Sequence, residues 1–137
     1  MPGYIADKSA LVHLGRPAVE ATLRPLIVAG QVATCGIIEL EVLFSARSEQ
    51  DLLETRRRRA AAFHRIPTEE ADFIRAEDVM ARLAKTGQHR AVSLPDLLVA
   101  AVAERADLVV LHYDADFEIV ASVTGQRTEW IAPRGSL

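Results

Sequence analysis

The chain has 137 residues, half of them hydrophobic and about a quarter charged, with a formal net charge of −3 and a single cysteine. That length and balance suit one compact domain spanning 1–137 with a sizeable core, and exclude a disordered or collagen-like chain. Cys35 alone can form neither an internal disulfide nor a cysteine-based zinc site, so it reads as a small buried apolar residue in a reducing compartment.

In chain order, Gly3 to Ala6 reads as a short strand, followed by a short helix from Ser9 that Gly15 and Pro17 interrupt. Pro17 to Gly30 is helical in pattern with a break or bend expected near Pro25, and Gln31 to Cys35 reads as a second strand. Ile37 to Arg47 is apolar nearly all round, which predicts a buried helix. Ser48, with Asp51 three residues on, opens a long polar helix to about Arg65, and Pro67-Thr68-Glu69-Glu70 opens another that Gly87 closes. Ser93 to Ala106 is helical, Leu108 to Tyr113 a third strand, Asp116 to Val123 a helix and Thr128 to Ile131 a last strand. Strands alternating with helices predict an α/β fold, a three-layer α/β/α sandwich with a mostly parallel sheet. No stretch has the pattern of a signal peptide, and no apolar run approaches the roughly 18 residues that span a bilayer, so the expected location is the cytoplasm, with no membrane partner.

The acidic residues carry the chemistry. Asp7 follows Tyr4-Ile5-Ala6, Asp96 opens an apolar helix, and Asp114 and Asp116 follow Leu108-Val109-Val110-Leu111. Ligands of open parallel sheets bind outside the carboxyl ends of the strands, where these aspartates fall. Several ionised carboxylates within about 4–6 Å raise one another's pKa, so such a cluster makes sense chiefly as a hard-metal site. Each aspartate also has an ordinary reading as a helix cap worth about 1 kcal/mol: Ser93-x-x-Asp96 has the form of a capping box, Asp116 precedes Phe117 as an N-cap would, and Asp7 can cap the first helix itself. Three separate strand-to-helix junctions all choosing aspartate favour a site.

Glu41 lies inside a helix, where no cap is needed. At 100° per residue it falls between Ile37 and Ser45 on the apolar arc, whereas Glu39 points to the opposite side and reads as solvated. A carboxylate on the buried face needs a partner, an Arg such as Arg90 or a metal, and the metal is favoured.

Taken in order, Asp7-x-Ser9, Glu41 within Glu39-Leu40-Glu41-Val42-Leu43, Pro95-Asp96-Leu97-Leu98-Val99-Ala100 and Leu111-His112-Tyr113-Asp114-x-Asp116-Phe117 resemble the PIN-domain ribonucleases of the VapC toxin type, over essentially the whole chain. The resemblance implies Asp7, Glu41, Asp96 and Asp114 as the catalytic acids, with Asp7, Asp96, Asp114 and Asp116 as metal ligands and Ser9 as a polar residue beside them. Glu39 and Glu41 are close enough to exchange the helix role; the helical face and the spacing from Cys35 favour Glu41. The implied cofactor is Mg²⁺ or Mn²⁺, which takes oxygen ligands in octahedral geometry. The implied function is metal-dependent endoribonuclease action on cellular RNA, as the toxin of a type II toxin-antitoxin pair with a small VapB-like antitoxin and a homodimeric assembly.

The charge balance permits RNA: the five acids account for −5, leaving the remainder at +2, and fourteen Arg stand against only Lys8 and Lys85. Arg90, just before the Asp96 helix, is the basic residue placed best to meet substrate. Arg56 to Arg59 fan over about 300° of a helix and read as a solvated face. His13, His64, His89 and His112 show no ligand pairing and read as structural. The alternatives are a catalytically silent PIN-like protein-binding module, a Toprim-like metal nuclease using Asp114-x-Asp116, and a receiver-type phosphoacceptor, which would want adjacent acids after the first strand and a late lysine.

Overall fold

A computed structural model describes residues 2–137. The elements are β1 (Tyr4–Ala6), α1 (Lys8–Leu11), α2 (Pro17–Val28), β2 (Val32–Thr34), α3 (Gly36–Phe44), α4 (Glu49–Ala62), β3 (His64–Arg65), α5 (Glu70–Ala84), α6 (Leu94–Arg105), β4 (Val109–His112), α7 (Asp116–Thr124) and β5 (Thr128–Trp130). The sheet runs in the order β3-β2-β1-β4-β5, and every neighbouring pair is parallel. The three-layer α/β architecture follows from strand alternation: Ile5, Ala33 and Val110 face α3, α5, α6 and α7, while Ala6, Val32 and Leu111 face α1 and α2.

The strand order places the site. The chain builds outward from β1 to β2 and β3, then returns to lay β4 on the other side of β1, so the topological switch point lies between the carboxyl ends of β1 and β4. Asp7 follows one of those ends and Asp114 the other. Two forked ion pairs tie α5 to α6, the helix that carries Asp96: Arg105 Nε and Nη2 reach the Asp72 carboxylate at 2.8 and 3.1 Å, and Arg75 reaches Glu104 at 2.7 and 3.2 Å.

Three expectations change. The polar helix stops at Ala62, because Phe63 turns to extended backbone and His64–Arg65 pair with Ala33–Thr34 as an edge strand. The helix from Pro17 runs through Pro25 to Val28 without a break, although Pro25 has no N–H to donate to the Ala21 carbonyl. The helix at Gly36–Phe44 is not buried all round, since Leu40 is 66% and Phe44 79% exposed. The mostly parallel sheet that was expected is parallel at every pairing. At the ends of α5 and α7, Gly87 and Gly125 take φ of 72° and 73°, a left-handed conformation that glycine adopts without strain. Among the described residues no helix is long and apolar enough to cross a membrane.

Candidate active site

Asp7, Lys8, Ser9, Val12, Glu41, Ser93, Asp96 and Asp114 line one crevice of about 230 Å³ at the switch point. One oxygen from each of Asp96, Asp114 and Asp116 lies within 4.8 Å of the other two. Four segments far apart in sequence thus bring five carboxylates to one place, together with Ser9. Arg90 does not join them: it is exposed in the turn before α6 and is not among the residues lining the crevice.

The hydrogen bonds separate capping from site chemistry. In a full capping box the Asp96 carboxylate would accept the Ser93 N–H. Here Ser93 Oγ does accept the Asp96 N–H at 3.3 Å, but the Ser93 N–H donates to Asp116 Oδ2 at 3.0 Å, which leaves the Asp96 carboxylate free of capping duty. Asp116 is not an N-cap either; that position falls to Ala115, and Asp114 Oδ1 accepts the Asp116 N–H at 2.9 Å. Asp7 Oδ2 accepts the Ser9 N–H at 3.0 Å and so caps α1, yet its Oδ1 is buried without a hydrogen-bond partner. Glu41 Oε1 is likewise buried and unpartnered. By contrast, Asp72 gives its Oδ2 to the Glu69 N–H at 2.8 Å and both oxygens to Arg105, as a purely structural acid does.

Electrostatics agree with the geometry. Burial, a hydrogen bond shared with Asp116 and the charges of Asp7 and Asp114 push the Asp96 carboxyl up to about 9. Burial raises Asp7 against the opposing Ser9 hydrogen bonds, with Asp114 adding to the rise. Burial and the Asp7 charge raise Glu41, with Lys8 opposing. Carboxyls pushed up together, with buried oxygens that lack donors, want a cation. The all-oxygen donor set suits a hard divalent ion, and these residues fit one.

Glu39 and Arg59 overturn the expectations made for them. Glu39 is not solvated: its side chain is 13% exposed, and both oxygens receive the guanidinium of Arg59 at 2.8 Å, with Thr34 Oγ1 donating to Oε2. Burial works to raise its pKa, but the Arg59 and Thr34 hydrogen bonds outweigh it and hold it below the ordinary carboxylate range. Arg59 is buried rather than solvated and stacks over the Phe63 ring at 4.6 Å. The pair bolts α3 to α4 and β2, leaving Glu41, two residues on, to face the crevice.

Two contributors, Ser93 and Lys8, escaped the sequence reading as site residues, whereas Ser9 was named there. Ser93 acts through its backbone N–H on Asp116, an interaction 23 residues long in sequence that no local pattern shows. Ser9 Oγ accepts the Tyr113 N–H at 2.9 Å, joining the ends of β1 and β4. Lys8, adjacent to Asp7, lines the crevice as its one cation, a placement that adjacency alone could have suggested. Beside the crevice lies a larger groove of about 370 Å³ between α1, α2, α3 and α4, lined by apolar residues with Arg24, Arg58 and Arg59 and sharing Lys8 and Val12 with it. It contains no carboxylate, so the chemistry belongs to the smaller crevice.

Comparison with known proteins gives a consistent picture. The chain is 42% identical over 135 residues to Ribonuclease VapC21 of Mycobacterium tuberculosis, covering 97% of this chain and 96% of that one. It is 44% identical over 136 residues to Ribonuclease VapC51 of the same organism, covering 98% and 96%. Its fold resembles that of a chain in the DNA-bound VapBC of Salmonella typhimurium, with a TM-score of 0.77 at 17% identity over 96% of this chain and all of the other. A chain of VapBC-5 from Mycobacterium tuberculosis superposes with a TM-score of 0.64 at 24% identity, covering 94% and 98%. The sequence matches the PIN domain over residues 4–123, from the start of β1 to within one residue of the end of α7, and on that extent of agreement the chain belongs to the PIN domain family.

Proposed function

We propose that this protein is a metal-dependent endoribonuclease of the VapC type, the toxin of a toxin-antitoxin pair, with the acidic crevice as its active site. The observation that carries the reading is the convergence of these carboxylates at the switch point, with Asp7 Oδ1 and Glu41 Oε1 buried there without a partner. Relatives named as VapC ribonucleases across nearly their whole length support the activity, and family membership removes the receiver and Toprim alternatives.

Asp7, Asp96, Asp114 and Asp116 hold the divalent ion, Mg²⁺ or Mn²⁺, and Glu41 completes the set. A divalent ion held there would supply Lewis-acid charge for hydrolysis of a phosphodiester bond. Asp96 would have to give up its proton to hold a cation, and Glu41, a carboxylate on the crevice wall, is the residue placed to accept a proton from water. Lys8 meets the phosphate as a point charge at the crevice mouth. Ser9 keeps the two strand ends in register, and Arg90 contacts RNA away from the crevice.

The activity belongs in the cytoplasm, in a homodimer and under the control of a small VapB-like antitoxin. Because the apolar groove and the crevice share Lys8 and Val12, a segment lying in the groove reaches the acids. That segment should carry an Arg or Lys, which replaces the cation's charge and pairs with Asp96 or Asp114. Expression without the antitoxin should arrest growth and create new RNA 5′ ends at a small set of positions. Co-expression of the antitoxin should abolish both, and replacing its basic residue with Ala should restore them. Unaltered growth and unaltered 5′ ends would contradict the reading.

A further inference from the structure

We propose that His112 is a positioning residue for metal binding, its imidazole fixing the backbone, and through it the carboxylate, of Asp114. The proposal rests on the reading that Asp114 ligates the divalent ion.

At the end of β4 the chain leaves the sheet. The carbonyl of His112 still accepts the Ile131 N–H at 2.8 Å, but two residues later the Asp114 N–H donates instead to Nδ1 of the His112 ring, at 3.1 Å. That bond fixes the tautomer, because Nδ1 must present its lone pair and the proton therefore sits on Nε2. The ring is fully buried and held by its neighbours, its centroid 5.0 Å from that of Phe117 and 4.9 Å from that of Trp130.

A residue chosen only to fill this space would be apolar. The histidine leaves Nε2 buried with no hydrogen-bond partner, an arrangement that costs about 1–3 kcal/mol and that leucine or phenylalanine avoids. What the imidazole contributes in return is the acceptor for Asp114. With its N–H held by His112 and its Oδ1 by the Asp116 N–H at 2.9 Å, Asp114 has its backbone and carboxylate fixed beside Asp96 and Asp116, whose oxygens lie within 4.8 Å of one of its own. Groups that orient ligating side chains in this way commonly change metal affinity by about 10–100-fold when lost.

Leucine and asparagine have nearly the same shape, but only asparagine places an acceptor where Nδ1 stands. Calorimetric titration of MnCl₂ into wild type, His112→Leu, His112→Asn and Asp114→Asn, each with a melting curve, separates the roles. His112→Leu should weaken Mn²⁺ binding by about tenfold or more while melting cooperatively, and His112→Asn should regain most of that loss. Equal Mn²⁺ affinity in the Leu and Asn variants, whether both native or both weakened, overturns the positioning role. Wild-type affinity in Asp114→Asn overturns the underlying assignment of Asp114 as a ligand instead. Should His112→Leu fail to fold, His112→Gln takes its place: its acceptor lies one bond too far out, so it should bind more weakly than the Asn variant, and equal affinity overturns the proposal.

Discussion

Burial and neighbouring carboxylates make Asp96 keep its proton to higher pH in the folded protein than in the unfolded chain. Its pKa stands at about 9 in the folded protein against 3.8 for an unperturbed aspartate, so between those values the folded state binds more protons and stability falls as pH rises. His112 has the opposite sign. Burial pushes its imidazole down from 6.5 to about 4, against the charges of Asp114 and Glu118, so between those values stability rises with pH. The two oppose each other in acid, where the raised Asp7 and Glu41 carboxyls act in the same direction as Asp96, and above about pH 6.5 the opposing His112 contribution is spent. The melting temperature of the protein in EDTA should therefore decline from about pH 6.5 to about pH 9, and Asp96→Asn should flatten the decline; a flat wild-type profile would refute the shift. By the same linkage, filling the site with Mn²⁺ should release protons, read from titrations in buffers of different ionisation enthalpy. At this scale the sequence named the acids of the crevice from their positions at strand ends and on a helix face, and missed what decides their state. Glu39 was read as solvated because its partner, Arg59, lies twenty residues away on another helix, and helical phase says nothing of a pairing between helices.

The ion pair between α3 and α4 is a buried contact at the scale of elements, with both partners largely out of solvent. With the Glu39 and Arg59 side chains 13% and 9% exposed, solvent offers little compensation when one partner goes. Arg59→Ala should cost about 3 kcal/mol and lower the denaturation midpoint accordingly, while a double replacement of Glu39 and Arg59 by Met should recover most of it. A loss below about 1 kcal/mol for the single change would place the pair with exposed salt bridges instead. Most elements were legible because their signals are local: Ser48 and Ser93 cap their helices, Asp51 sits three residues after the first, and apolar runs mark β2 and β4. β3 was not legible. Two residues, His64 and Arg65, carry no alternation, and they are a strand only because Thr34 accepts the Ile66 N–H at 2.8 Å and the β2 edge is there to pair with. The outward-facing Leu40 and Phe44 misled in the other direction, since an apolar residue signals burial only when a neighbour covers it.

Across the whole molecule, five carboxylates at one end of the sheet make the metal-free protein less stable than its core allows. Millimolar Mg²⁺ or Mn²⁺ should raise the melting temperature, and Asp114→Asn should raise it without metal while weakening the metal response. A melting curve indifferent to divalent ions would reduce the cluster to caps and ion pairs. The parallel order of the sheet was readable from the alternation of strands and helices, and the switch point followed from it, which is why acids separated by up to 109 positions in sequence could be assigned to one crevice. The groove beside the crevice was not readable, because it is shared among four helices whose packing no single segment encodes. The central claim is that this crevice cuts RNA with a divalent ion, and the direct test is cleavage of total cellular RNA by purified wild-type and Asp96→Asn protein, compared with and without Mn²⁺. The account predicts defined fragments from the wild type only when Mn²⁺ is present, none after EDTA, and none from a natively folded Asp96→Asn; cleavage by that variant at the wild-type rate, or by the wild type in EDTA, would contradict it.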